Sequence, residues 1–198
     1  MKNWRDLSYL QTGTSKQRAA WDALTSTRVM ENLKVYDPVL AGTIPLDIDI
    51  AESDLDIICT SDDLEQFDAS VRAFYGEWDG YQETRLLVNR VPTSVIRFSA
   101  ESFLFEIFAQ SVAVEQQNAY RHMVIEARLL ETGGPNAYQE IRKLKQQGIK
   151  TEPAFALYFG IAGADPYLAL FQLEPYSQEE LFRMFGSKAR KRQADLIR

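Results

Sequence analysis

The chain has 198 residues, of which 45% are hydrophobic, enough for one sizeable core or for a smaller core with a helical appendage. Its formal net charge of -6 argues against a general nucleic-acid binder, because phosphate contacts need clustered Lys and Arg. The single cysteine, Cys59, excludes a disulfide within this sequence and a Cys-based zinc site. The absence of a long apolar run predicts a cytoplasmic protein with no membrane partner.

The first part of the chain predicts helix, strand, strand and helix, in that order. Apolar residues at spacings of three and four predict a helix over residues 16–35, with Ser15 as its N-cap. Two short β-branched stretches then predict strands, namely PVLAG and DLDIICTS. A second helix follows, with Ser61 or Asp62 available as its cap and Gly76 at its end.

The remaining pattern is three more strands and then helices. Residues 81–110 form short runs rich in Val, Ile, Phe and Thr, which predict strands. After residue 112 the spacing is helical, with a stop at Gly133–Pro135 and a capping box from Ser177 to Glu180. The predicted fold class is α+β: a mixed sheet of about five strands with flanking helices in residues 1–111, and a helical part, residues 112–198, packed against it.

Two Asp-x-Asp pairs lie close together in the sequence. A divalent metal that serves phosphoryl transfer needs carboxylate oxygens that point the same way. Asp54 and Asp56 satisfy this requirement, because residues i and i+2 of a strand project from one face. Asp47 and Asp49 have the same spacing but follow Pro45 between two predicted strands, so we expect them in a mobile or solvated loop.

Two other features fit a site for a phosphate and a metal. Gly42 permits close backbone approach in a turn, and the Thr43 hydroxyl adds a hydrogen-bond donor. Glu106 is the lone acid in the apolar strand FLFEIF, and a buried carboxylate needs a cation or a metal beside it. An ion pair with Arg97 or Arg85 across the sheet is the alternative for Glu106.

These residues together carry a resemblance to a known superfamily. The stretch LAGTIP, a spacer of about ten residues and then SDLDIIC resembles the signature of nucleotidyltransferases of the DNA polymerase beta type. More narrowly, SDLDIIC, FEIFAQ and QNAYRHMVIEARLL resemble a bacterial family of uncharacterised nucleotidyltransferase-like proteins. Thr43 stands where many members have Ser, and the third carboxylate is Glu where many have Asp.

The resemblance implies a role for each matching residue. Asp54, Asp56 and Glu106 would be catalytic and would bind Mg²⁺ or Mn²⁺, while Gly42, Thr43 and Ser53 would contact the nucleotide. The implied reaction is transfer of an NMP from an NTP to an acceptor, which the sequence does not name. The alternative is a catalytically inactive nucleotide-binding or regulatory module with the same fold. A purely structural partner of another protein is a third alternative.

One polar stripe in the second half is a further candidate. Asn118, His122 and Glu126 share a helix face at spacings of four, with Arg121 beside them. The stripe could line a substrate cleft, where His122 with an ordinary pKa near 6.5 would titrate in the working range. It could equally be a hydrogen-bonded stripe packed against the sheet.

The sequence ends in a basic run, KARKRQADLIR. Such a run is most often the solvated end of a helix, although it could contact nucleic acid, which the acidic composition does not favour. The sequence leaves the oligomeric state open.

Overall fold

The computed structural model describes residues 2–186, which divide into two compact units. The first unit comprises the residues up to Pro45 together with Glu52–Tyr120. The second unit comprises Leu46–Ala51 and the chain from Arg121 onwards. The segment Leu46–Ala51 lies between two strands of the first unit in sequence but belongs to the second unit. The sequence pattern does not predict this assignment.

A mixed sheet is the frame of the first unit. In the described residues it has five strands: β1 (Val39–Ala41), β2 (Leu55–Thr60), β3 (Gln82–Val88), β4 (Val91–Ala100) and β5 (Phe103–Gln110). Their spatial order is β1-β2-β5-β4-β3. The neighbours β2 and β5 run parallel, and the other three pairs are antiparallel. The predicted fold class, with its sheet of about five strands and flanking helices, is confirmed.

Helices cover the apolar face of this sheet. They are α1 (Ser15–Thr27), the short α2 (Val29–Asn32) and α3 (Leu64–Tyr75), with 3-10 turns at Ser8–Thr12, Lys34–Tyr36 and Val114–Gln116. The core combines Leu24 of α1 and Phe67 of α3 with Ile57 and Ile107 of the two central strands. Phe98 stacks on Phe105, with ring centroids 4.9 Å apart. The opposite face of β2 and β5 carries the partly exposed Asp56 and Glu106 beside the apolar pair Ile58 and Phe108.

The structure corrects three details of the predicted helices. The helix predicted over 16–35 breaks at Arg28, whose φ of 54° lies in the left-handed region. Its N-cap is Thr14 rather than Ser15, because Thr14 and Gln17 form a reciprocal capping box. The cap of α3 is Asp63, whose carboxylate accepts a hydrogen bond from the Gln66 backbone N–H at 2.9 Å.

The second unit is helical. Its helices are α4 (Asn118–Gln146), α5 (Thr151–Phe159) and α6 (Pro166–Phe171), and residues 178–186 are also helical. Gly134 interrupts α4 with φ 63° and ψ -163°, at the stop that the sequence predicts. The predicted box at Ser177 is present, since the Ser177 N–H donates to Glu180 and the Glu180 N–H donates back to the Ser177 hydroxyl.

Two predictions made from the sequence concern membrane spans and the basic run. Within the described residues, the helices lack the combination of length and apolar character that crossing a membrane requires. The basic run KARKRQADLIR lies outside the described residues.

The cap of α3 gives a first prediction. Replacing Asp63 with Ala should lower the free energy of unfolding by about 1 kcal/mol, because a helix N–H group loses its partner. Asp62→Ala is the matched control, since Asp62 is the exposed neighbour and the residue that the sequence also offered as a cap. Urea denaturation measures both. Equal losses in the two variants would show that Asp63 does not cap the helix.

Candidate active site

The parallel pairing of β2 with β5 places two acids side by side. Asp56 is directly opposite Glu106 in this ladder, so both side chains project from the same face. Their neighbours Leu55 and Ile57 are fully buried on the other face. Asp54, half-buried, lies two residues before Asp56 at the start of β2. The predicted alternation of core and acidic residues is therefore present.

Gly42 lies against the carboxylate of Asp56. It follows β1, whose last residue, Ala41, pairs with Asp56 in the antiparallel ladder. The φ of Gly42 is +76°, and a Cβ atom added there would lie 2.0 Å from the Oδ2 atom of Asp56. Any other residue would collide with the carboxylate, so the glycine creates the space that this acid occupies.

Two polar contacts fix the turn that follows Gly42. The hydroxyls of Thr43 and Ser53 are hydrogen-bonded at 3.2 Å, which joins the start of the β1–β2 connection to its end. The buried side chain of Gln17 donates to the Ile44 carbonyl at 2.9 Å. Gly42 and Thr43 thus lie in one braced turn, and Ser53 contacts that turn from the other end of the β1–β2 connection.

The carboxylate of Glu106 has a cationic partner in the structure. The Arg97 guanidinium, on the neighbouring strand β4, donates to Glu106 Oε2 at 2.6 Å. Arg85, the other candidate partner, instead bonds Asp68 on α3 at 2.7 Å. The ion-pair alternative for Glu106 is therefore present with Arg97.

The three predicted catalytic carboxylates do not form a gathered set. Within the described residues, Asp54, Asp56 and Glu106 are not among the groups whose ligand atoms all lie within 4.8 Å of one another. Glu106 adjoins Asp56 through the backbone register, while its carboxylate turns to Arg97. The metal-binding role of the three residues stays a prediction.

The second acidic pair lies between β1 and β2, as predicted, but its loop is packed. Leu46 and Ile48 are buried on either side of Asp47. Arg142 of α4 donates to the carbonyl oxygen of Asp47 and, at 2.9 Å, to its Oδ1. Burial raises the pKa of Asp47, and the positive charge of Arg142 opposes that rise. The expectation of a mobile or solvated loop was wrong, because the apolar residues between the acids bury themselves.

The polar stripe of α4 is mostly buried within the second unit. His122 stacks on Phe171 with ring centroids 4.0 Å apart, and the edge of Tyr167 lies nearby. Burial, with the charge of Arg121, lowers the pKa of His122 to about 4. The imidazole is therefore neutral near pH 7, unlike in the substrate-cleft alternative, in which His122 titrates in the working range.

The other members of this stripe differ in exposure. Glu126 is buried, and its burial raises the pKa of the carboxyl well above the ordinary value. Arg121 is half-buried and donates two hydrogen bonds to Glu174, at 2.7 and 2.6 Å. Asn118, also half-buried, begins α4. A substrate role for these residues stays a prediction, but His122 and Glu126 do not lie on an open surface.

Sequence reasoning missed one residue that positions the site. Gln17 closes the capping box of α1 and also holds the backbone at Ile44, two residues after Gly42. The pattern Thr14-x-x-Gln17 could have revealed the box, but the bond to Ile44 depends on tertiary packing.

One protein-family model matches most of this chain. The model of the family described as "Domain of unknown function (DUF4269)" matches residues 22–173, which include all five strands of the sheet and the whole of α4. The chain belongs to the DUF4269 family. The matched part contains all six residues predicted for the nucleotide and metal site. No curated protein has a significantly similar sequence.

Solved structures share the fold of this DUF4269 chain. The GLD-2/RNP-8 complex is similar with a TM-score of 0.50 and 15% identity, over 92% of this chain and 82% of that chain. A mutant of the Cid1 poly(U) polymerase bound to MgATP has a TM-score of 0.50 and 15% identity, over 79% of this chain and 49% of that chain. The chain thus spans about half the length of Cid1. At these identities the likeness shows a nucleotidyltransferase fold.

The close approach of Gly42 to Asp56 gives the second prediction. Gly42→Ala should destabilise the protein by more than the roughly 1–2 kcal/mol that a left-handed conformation costs, because the new methyl group also displaces the carboxylate. Gly80→Ala is the control: Gly80 has a φ of +68°, and the nearest atom to an added Cβ is the Ser99 hydroxyl at 3.6 Å. Chemical denaturation compares the two. An equal loss in both variants would contradict the contact.

Proposed function

We propose that this protein is a metal-dependent nucleotidyltransferase that transfers an NMP from an NTP to an acceptor hydroxyl. The observation that carries the proposal is the placement of Asp56 against Gly42 and opposite Glu106, with Asp54 two residues away. A fold that is similar to MgATP-bound Cid1 poly(U) polymerase supports it. We place this activity in the cytoplasm, in keeping with the sequence expectation.

The donor set fits a hard divalent cation. Asp54 and Asp56 offer carboxylate oxygens on one strand face, which suit Mg²⁺ or Mn²⁺. A cation bound there would neutralise the negative charge that develops on the leaving pyrophosphate. The glycine beside Asp56 leaves room for the carboxylate and for a phosphate near the backbone.

The turn from Gly42 to Thr43 would hold the triphosphate. Its glycine takes a left-handed conformation, which exposes backbone N–H groups to an anion. The hydroxyls of Thr43 and Ser53 already bond each other, so either can donate to a phosphate oxygen with little rearrangement. The bracing by Gln17 fixes this turn before the nucleotide arrives, which lowers the entropic cost of binding.

Glu106 would act on the acceptor. In the structure Arg97 orients its carboxylate from the next strand. Rotation of Glu106 away from Arg97 would bring its oxygens toward Asp56, its neighbour in the ladder, and would release a guanidinium that can pair with a phosphate. Glu106 could then serve as a third ligand or accept the proton of the attacking hydroxyl.

The same ion pair favours a second candidate function. If Arg97 holds Glu106 permanently, the protein would bind a nucleotide through Asp54 and Asp56 without turning it over. This would be the inactive nucleotide-binding or regulatory module. The two functions differ in the role of Glu106: the enzyme needs its carboxylate for nucleotidyl transfer, whereas the inactive module does not.

Ligand-induced stabilisation tests the nucleotide site. With Mg²⁺ and a nucleotide at 100 times its dissociation constant, the free energy of unfolding should rise by about 2.7 kcal/mol. Asp54→Asn and Asp56→Asn should each remove this rise, since the cation loses a ligand. Asp49→Asn is the matched control, because it makes the same change in the other acidic pair. Thermal unfolding with ATP, GTP, CTP and UTP measures the effect. Stabilisation that survives in both site variants would overturn the proposal.

Transfer of label separates the two candidate functions. An α-³²P-labelled NTP should label an acceptor from a library of RNA ends, proteins and aminoglycosides in the presence of Mg²⁺. Glu106→Gln should abolish labelling and keep nucleotide stabilisation. If the wild-type protein binds a nucleotide and labels nothing, and Glu106→Gln binds equally well, the inactive module is the better account.

A further inference from the structure

Three potential metal ligands meet in the second unit, apart from the acids already described. His122 and Glu126 lie one turn apart on the same face of α4. Glu152 is in the first turn of α5. One ligand atom from each residue lies within 4.8 Å of those of the other two. Two helices of this unit therefore bring an imidazole and two carboxylates to one point.

Two of these side chains are buried without the partners that burial normally requires. His122 is 6% exposed and Glu126 is 4% exposed. Within residues 2–186, neither His122 Nδ1 nor Glu126 Oε1 has a hydrogen-bond partner. A buried polar atom without a hydrogen-bond partner lowers the free energy of unfolding by about 1–3 kcal/mol. Such atoms are therefore rare in folded proteins. Coordination of a metal ion by these two atoms would remove that cost in stability.

Charges of both signs act on the three ligands. Lys145, which is buried, acts electrostatically on both Glu126 and Glu152, and Lys150 acts on Glu152. His122 is affected by Arg121, which is paired with Glu174, and by Asp165, which caps α6. A bound cation would therefore share the two glutamates with Lys145.

We propose that His122, Glu126 and Glu152 bind one divalent transition-metal ion of the zinc class, which joins α4 to α5. The imidazole nitrogen selects zinc over magnesium, because Mg²⁺ prefers a shell of oxygen atoms. In a tetrahedral zinc site with bonds of about 2.0–2.2 Å, the ligand atoms lie about 3.4 Å from one another. The ligand atoms of this cluster lie within 4.8 Å of one another, so side-chain rotations that shorten these distances by up to about 1.4 Å would complete the site.

The role of this ion is structural. His122 and Glu126 are buried and Glu152 is half-buried, so a cation held by the three would stabilise the folded chain. The inference does not rest on the proposed nucleotidyl transfer, since none of its ligands belongs to the set Asp54, Asp56 and Glu106. Either proposal can fail while the other stands.

The chain offers a direct probe, because His122 is its one histidine. Untagged full-length protein, first treated with a chelator, should bind one equivalent of Zn²⁺ and unfold at a higher temperature. In a long-range ¹H–¹⁵N NMR spectrum, the single set of imidazole signals should shift on addition of Zn²⁺. Unchanged imidazole signals would overturn the proposal without need of any variant.

Variants locate the carboxylate ligands. Glu126→Gln keeps the size of the side chain and should weaken Zn²⁺ binding by more than the 10- to 100-fold that removal of an outer partner costs. Glu131→Gln is the matched control, an exposed glutamate on the same helix, and should bind as the wild type does. The double variant Asp54→Asn, Asp56→Asn should also keep Zn²⁺ binding. Equal affinity in Glu126→Gln and Glu131→Gln, or loss in the double variant alone, would overturn the proposal.

Discussion

The parallel pairing of β2 with β5 is the constraint on which the candidate active site depends. A parallel ladder places residues of two strands side by side with their side chains on a common face, and here the paired residues are Asp56 and Glu106. Two acids could not occupy that position if the same face were core, so the apolar residues at Leu55 and Ile57 fix the register. A slip of one residue would bury the acids and expose the core. Burial of the apolar residues thus determines the positions of Asp56 and Glu106.

The antiparallel edge supplies the second half of the site. Because Ala41 pairs with Asp56, the residue after it reaches the carboxylate, and a glycine is needed there. The strands could be predicted from the sequence, since alternation of apolar and acidic residues is a local pattern. The shared face of Asp54 and Asp56 stays a prediction, because Asp54 precedes Leu55, the first residue of β2. The contact of Gly42 with Asp56 could not be predicted, because it depends on the register of two strands that a loop separates. The predicted cap of α3 was wrong for another reason: several polar residues precede the helix, and their order alone does not show that Asp63 caps it.

Long-range contacts explain the other differences. The acids at Asp47 and Asp49 suggested a solvated loop, but Leu46 and Ile48 bury themselves, and Arg142, far along the chain, holds the backbone. The stripe of His122 and Glu126 was visible as helical spacing, whereas its burial and its meeting with Glu152 were not, because no pattern links residues on different helices. Likewise, the sequence offered two arginines for Glu106, and the pairing of β4 with β5 selects Arg97. Local spacing therefore identified the candidate residues, and packing decided their partners.

The central claim is that Asp54 and Asp56, rather than Asp47 and Asp49, bind the metal that serves the nucleotide. Crystals grown with Mn²⁺ and a non-hydrolysable ATP analogue would test it through the anomalous scattering of manganese. We expect an anomalous peak from manganese bonded to carboxylate oxygens of Asp54 and Asp56, with the phosphates of the analogue beside the turn at Gly42. A manganese peak on Asp47 and Asp49, or no peak at Asp54 and Asp56 with the analogue bound, would contradict it.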